Sequence, residues 1–234
     1  MEPLLFAPMQ PATVFIYFFN SNLAGQFIVL SLLVFSFLGW TVMVGKYMDL
    51  SRLRALNLKL EGELDKTGSI MGLSFINSAA NYGSHAELVE ASQKAYQRYF
   101  DREIEVSVEH SIQMGHIENA LQRAVAQQTM RYESKMVVLG SIVTAAPFMG
   151  LLGTVWGVMD AFGGMGMEST ATLQNLAPGV SGALLTTVAG LLVAIPSVLG
   201  YNFLLTQTKI MVTELENFAS SLADRIELEL TSEV

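Results

Sequence analysis

The chain has 234 residues, no cysteine and a formal net charge of −8. The lack of cysteine excludes disulfides, thiol catalysis and cysteine-based metal sites, and the acidic balance argues against nucleic acid as a partner. Half of the residues are hydrophobic (51%) and only 15% are charged, against about 25% in a typical soluble domain. The charges are segregated. Residues 1–45 hold no Lys or Arg and a single acid, Glu2, and residues 136–208 hold no Lys or Arg and two acids, Asp160 and Glu168. Eleven of the thirteen basic residues lie in 46–135. This is the pattern of a membrane protein with one solvated middle segment.

A membrane-spanning helix needs about 20 predominantly apolar residues. The opening MEPLLFAPMQ lacks the positive n-region of a signal peptide, and residues 1–23 read as an N-terminal segment outside the bilayer. Residues 24–45 are the first span, with Trp40 and Tyr47 as interfacial anchors at its inner end. Residues 46–136 form a polar domain. Within it, 67–83 has the Gly, Ser and Asn of a connection, and 84–135 has no Pro and one Gly, which predicts helix. Ser84 followed by Glu87 resembles a capping box that opens that helix. Residues 137–162 are the second span, 163–175 a short loop, and 176–205 the third span. Residues 206–234 form a C-terminal helix whose apolar positions Met211, Leu215, Phe218, Leu222 and Ile226 make one stripe. The tail carries six acids and two bases, so it is expected to pack in a bundle and not on anionic lipid.

Lys and Arg flank the cytoplasmic ends of spans. Lys46, Arg52 and Arg54 follow the first span, Arg131 and Lys135 precede the second, and Lys209 follows the third. The expected architecture is an all-α membrane protein: three transmembrane helices extended into a cytoplasmic helical bundle, with the N-terminus periplasmic and the C-terminus cytoplasmic.

Two stripes of small residues run along the second and third spans. Pro147, Gly150, Thr154, Gly157 and Ala161 share one helical face, as do Gly179, Ala183, Thr187, Gly190 and Ala194. Gly153 and Gly157 add a GxxxG. Small faces let membrane helices approach closely, because lipid gives no hydrophobic drive for association. Thr154 and Thr187 fall roughly 12 and 16 Å from the outer ends of their spans at 1.5 Å per residue, so an antiparallel pair brings both hydroxyls to nearly one level. Packing and an ion pathway are both compatible with this pattern. Pro147 and Pro196 read first as kinks, and Trp156 is expected to pack against a neighbour. Asp160 sits within a turn of the outer interface, where an acid costs little. His85, His110 and His116 show no metal-ligand spacing, no metal or cofactor is expected, and no P-loop, GxSxG or HExxH is present, so the chain does not read as an enzyme.

The stretch PFMGLLGTVWGVMDAF resembles the second-span signature of the TolQ/ExbB/MotA family of proton-channel stator proteins, and is most similar to TolQ and ExbB. LAPGVSGALLTTVAGLLVAIPSVLGYN resembles that family's third span, and ATLQNLAPG before it leans towards TolQ. The resemblance implies a homopentamer around a central pore in the bacterial inner membrane. A TolR- or ExbD-like single-span partner with an intramembrane Asp sits in that pore, and a TolA- or TonB-like protein receives the force. It also implies that Thr154 and Thr187 line the proton pathway, with Asp160 and Thr186 as secondary candidates. Pro147, Gly150, Gly153, Gly157, Gly179, Ala183 and Gly190 serve close packing. One position departs: the family's APG-x-x-E-A-L motif reads APGVSGAL here, with Gly182 in place of the glutamate. A non-conducting scaffold and the stator of a gliding or other motility motor are the alternative readings.

Overall fold

The computed structural model describes residues 11–66, 70, 83–100, 110–165 and 173–232. They form six helices: α1 (Pro11–Asn20), α2 (Leu23–Leu64), α3 (Gly83–Phe100), α4 (His110–Glu133), α5 (Met136–Met165) and α6 (Leu173–Ser232). There is no strand among the described residues. Three helical stretches, within Leu23–Leu64, Ile112–Gly164 and Leu176–Thr231, are long and apolar enough to cross a membrane. The connection expected over 67–83 and the loop expected over 163–175 lie largely outside the described residues.

Three local expectations are corrected. Residues 84–135 are not one helix: α3 ends at Phe100, α4 begins at His110 and the two pack on each other, with residues 101–109 outside the described set. The third span and the tail are not separate helices, since α6 continues unbroken for 60 residues. Between residues 197 and 232 there is no Pro and only Gly200, so no stop signal interrupts it. Ser84 does not cap α3 either. That helix begins at Gly83, and the Glu87 carboxylate instead accepts bonds from Gln128 and Arg131. The cap comes from α2, where Asn57 Oδ1 accepts the His85 backbone N–H at 3.2 Å. Gly83 leaves room for it, because a Cβ there would fall 2.2 Å from Asn57 Oδ1.

The chain divides into two compact units, one of residues 1–44 and 136–202 and the other of 45–135 and 203–234. In the first, Ile28, Leu32, Ile142, Ala146, Val193 and Ala194 form the core, and Phe35, Met149 and Ala189 pack on it. Its outward side chains are also apolar: Phe27, Leu33, Phe37, Phe148, Leu192 and Leu199 are all more than half exposed. The α1–α2 corner is tied down by Gln26, whose Nε2 donates to the carbonyls of Phe18 and Ser21 at 3.3 and 3.1 Å. Asn22 Oδ1 caps α2 by accepting from Gly25 N–H at 2.8 Å.

The second unit buries Leu60, Leu64, Leu88, Val89, Ile117, Leu121 and Tyr132, together with Met211, Leu215, Leu222 and Ile226 of the α6 stripe. The remaining stripe residue, Phe218, stacks on the buried His85 ring with centroids 4.1 Å apart. The α4–α5 joint is made by Lys135, which adopts φ 68°, a left-handed conformation costing about 1–2 kcal/mol for a residue with a Cβ. The carbonyl of Arg131 gathers donors there: Ser134 N–H, Ser134 Oγ and Lys46 Nζ, at 3.3, 2.7 and 3.3 Å.

Candidate functional site

The small faces of α5 and α6 meet. A Cβ at Gly150 would stand 2.9 Å from the Thr186 carbonyl and 3.1 Å from Thr187 Cα, and one at Gly190 would stand 2.7 Å from the Ala146 carbonyl. Gly153 lies under Thr186, Gly157 under Ala183, and Gly179 beside Ala161, with hypothetical Cβ contacts of 2.4, 2.7 and 3.1 Å to those side chains. At Gly150 and Gly190 the neighbours are backbone atoms, which cannot rotate away, so only glycine permits this approach. Ala183 is buried in the same seam. Pro147 lies within α5, which continues through it.

Three hydroxyls stand in the seam. Thr154 Oγ1 and Thr187 Oγ1 are 3.2 Å apart. Thr154 also donates to the Leu151 carbonyl at 2.7 Å, and Thr187 reaches the Gly150 carbonyl at 3.2 Å. Thr186 is fully buried and lies 3.0 Å from the Gly150 carbonyl and 2.7 Å from that of Ala183. Each hydroxyl has one proton and two lone pairs. The half-buried Thr154 and Thr187 therefore satisfy their donors locally and keep acceptor capacity for a third group. Thr186 does not share that freedom, and its place is that of a rivet between the helices. A shallow groove of about 390 Å³, lined by Thr154, Val155, Val158 and Met159, opens beside the pair.

Asp160 lies apart from these hydroxyls at the surface, where its Oδ2 accepts from Asn22 Nδ2 at 3.2 Å. Trp156 is 49% exposed. Gly182 is buried, and its surroundings were not foreseeable from the pattern of the span. A Cβ there would meet Ser21 Cα at 3.0 Å, Ser21 Cβ at 3.1 Å and the Tyr17 carbonyl at 3.2 Å. The α1–α2 corner thus packs tightly against position 182, and a Cβ there would require it to give by a few tenths of an ångström. The resemblance to the family implied a glutamate at this position; the segment that packs against Gly182 became visible only in the fold. Among the described residues, no group of three or more His, Asp or Glu is arranged to hold a metal ion.

These features define an α-helical membrane protein with a hydroxyl pair set in a glycine-lined helix seam. Residues 91–217 match the MotA/TolQ/ExbB proton channel family. The chain is 31% identical over 209 residues to the biopolymer transport protein ExbB of Neisseria meningitidis serogroup A, covering 87% of this chain and 91% of the relative. It is 24% identical over 202 residues to the Tol-Pal system protein TolQ of Pseudomonas aeruginosa, covering 86% of each. It is 31% identical over 186 residues to ExbB of Pseudomonas putida, where the match spans 78% of this chain but only 54% of the relative. The chain belongs to the MotA/TolQ/ExbB proton channel family, as a TolQ/ExbB-like membrane channel subunit.

Proposed function

We propose that the protein is the proton-channel subunit of a motor driven by the proton-motive force in the bacterial inner membrane, working as a homopentamer. It energises a TolR- or ExbD-like partner, whose intramembrane aspartate sits in the pore, and through it a TolA- or TonB-like protein that carries force to the envelope. Its spans run 24–45, 137–162 and 176–205, with 1–23 and 163–175 periplasmic and 46–136 and 206–234 cytoplasmic. The observation that carries the reading is the Thr154–Thr187 pair, 3.2 Å apart beside an open groove.

A proton crossing the bilayer needs a group that is neutral at the centre and charged at the ends. A charged carboxylate at the centre costs about 2.5–3.5 kcal/mol on insertion scales, while the membrane potential supplies about 2.3 kcal/mol per charge per 100 mV. The two are comparable, so one carboxyl that protonates before crossing the dry level can be driven. This chain offers no such carboxyl at that level, since 182 is glycine and Asp160 is superficial. Threonine hydroxyls cannot store a proton, but they hydrogen-bond a carboxylate in either state. The titrating group therefore comes from the partner.

The test is reconstitution of the chain with its partner in vesicles. Thr154→Val and Thr187→Val are expected to keep the oligomer and lose proton-driven work, while Asp160→Asn largely keeps it. Active threonine variants beside an inactive Asp160→Asn would overturn the pathway. The orientation is checked with single cysteines: one at Gly164 is expected to react with an impermeant thiol reagent from the periplasm, and one at Gln122 is not. The packing at Gly182 favours a second reading, a non-conducting scaffold, which requires both valine variants to be silent.

A further inference from the structure

A cavity of about 430 Å³ lies in the second unit, where α2, the start of α3 and the end of α4 meet. Four cations line it, Lys46, Arg52, Arg131 and Lys135, against two carboxylates, Asp49 and Glu87. The carboxylates are engaged: Glu87 pairs with Arg131 at 3.0 Å, and Asp49 with Lys135 at 3.4 Å. Lys46 and Arg52 form no ion pair among the described residues. Lys46 is only 3% exposed, and its ammonium donates to one backbone carbonyl, that of Arg131, at 3.3 Å. An ammonium has three donors; the Asp49 carboxylate attracts it but is shared with Lys135, and a buried charge that is incompletely compensated is costly. Gly83, the first residue of the 18-residue α3, also lines the cavity and adds the positive end of a helix dipole.

The position of these residues along the chain says which anion is at hand. Lys46 directly follows the apolar stretch that ends at Gly45, and Lys135 directly precedes the apolar α5. Both therefore stand at the edge of a membrane-spanning segment, at the level of lipid phosphodiesters. Beside Lys46 on α2, Tyr47 and Met48 are 53% and 63% exposed and offer apolar surface for an acyl chain. Basic pockets between helices at this level suit anionic headgroups.

We propose that this cavity is a phosphate-group site filled by the headgroup of an anionic phospholipid, whose phosphodiester completes the coordination of Lys46 and Arg52. The proposal rests on the span assignment and not on the proton pathway.

The full-length protein in detergent is exchanged against phosphatidylglycerol or phosphatidylcholine, and retained lipid is counted by native mass spectrometry. The test variant is Arg52→Gln with Lys135→Gln, both exposed side chains whose loss leaves the fold intact, as a thermal melt would verify. The control is Arg123→Gln with Lys209→Gln, away from the cavity. Wild type and control are expected to retain phosphatidylglycerol preferentially. The test variant should bind it more weakly by about fivefold for each cation removed. Equal retention of the two lipids, or unchanged retention in the test variant, would overturn the site. Inorganic phosphate that stabilises wild type as well as phosphatidylglycerol at equal concentration would overturn the lipid as its occupant.

Discussion

The two units of this chain are built on opposite rules. In the first, glycines line the α5–α6 seam beside a small core, and many large apolar side chains face outward: Gly150, Gly153, Gly157 and Gly190 are buried, while Phe148, Leu192 and Leu199 stand more than half exposed. In the second, Leu60, Leu88, Ile117, Leu215 and Ile226 are inside, and ion pairs such as Arg54–Glu214 and Arg131–Glu87 lie on the surface. The difference follows from the solvent. Water rewards burial of apolar area at roughly 25 cal/mol per Å², so the second unit hides its leucines. Lipid gives no such reward, and helices there associate through close contact and hydrogen bonds, which glycine and threonine supply.

The contrast breaks hardest at the seam. Gly190→Leu would drive a side chain into the Ala146 carbonyl, 2.7 Å from where its Cβ must stand. Overpacking typically costs about 1–3 kcal/mol and more where the neighbour cannot yield, so loss of the folded chain in detergent is expected. A normal melting profile for this variant would remove the close-approach account of unit one.

Truncating leucines sharpens the same contrast. Leu215 is fully buried, and Leu215→Ala is expected to cost about 2–5 kcal/mol. Leu192 is 68% exposed, and Leu192→Ala should change the melting temperature little in lipid nanodiscs. Equal losses for the two would contradict the idea that lipid, and not protein, surrounds Leu192.

Acid should separate the units next. Burial holds His85 down to about 4. Its Nδ1 comes within 2.8 Å of Glu61 Oε1 without a well-directed hydrogen bond, and burial outweighs that carboxylate in keeping the ring neutral. A histidine whose folded value lies below its unfolded one stabilises above the unfolded value, and that contribution is lost as pH falls from 6.5 towards 4. At 1.36 kcal/mol per unit the loss reaches roughly 3 kcal/mol. Burial raises Glu61, helped by Glu214 and Asp65, and a raised carboxyl works in the opposite sense. His85→Phe keeps the stack on Phe218 and removes the titration, so its melting temperature should fall less than that of wild type between pH 7 and 5. Parallel curves for the two would dismiss His85 as the acid-sensitive group.

The smallest effect is expected at Asn57, 4% exposed, which caps α3 and donates from Nδ2 to the Tyr132 hydroxyl at 3.3 Å. Asn57→Ala should destabilise by about 1–2 kcal/mol and weaken amide protection in the first turn of α3 before that of α5. Protection lost equally in both helices would mean that the cap is not local to α3.

The sequence alone determined the all-helical class, the three apolar stretches and the two stripes that place Thr154 opposite Thr187. Each follows from a short-range rule: apolar length, charge segregation, or a 3.6-residue period read along one helix. The α6 stripe through Leu215 and Ile226 was legible for the same reason. Contacts between segments distant in the chain were not. Ser84 looked like a cap because its spacing to Glu87 was right, yet the acceptor came from Asn57, one helix away. The break between α3 and α4 escaped notice because no Pro or Gly cluster marks it, and the left-handed Lys135 carries no sequence signal. At Gly182 the chain departs from the motif of the family it resembles. Only the tertiary structure decided what stands there, because periodicity along one helix says nothing about the backbone of Tyr17 and Ser21 that packs across it.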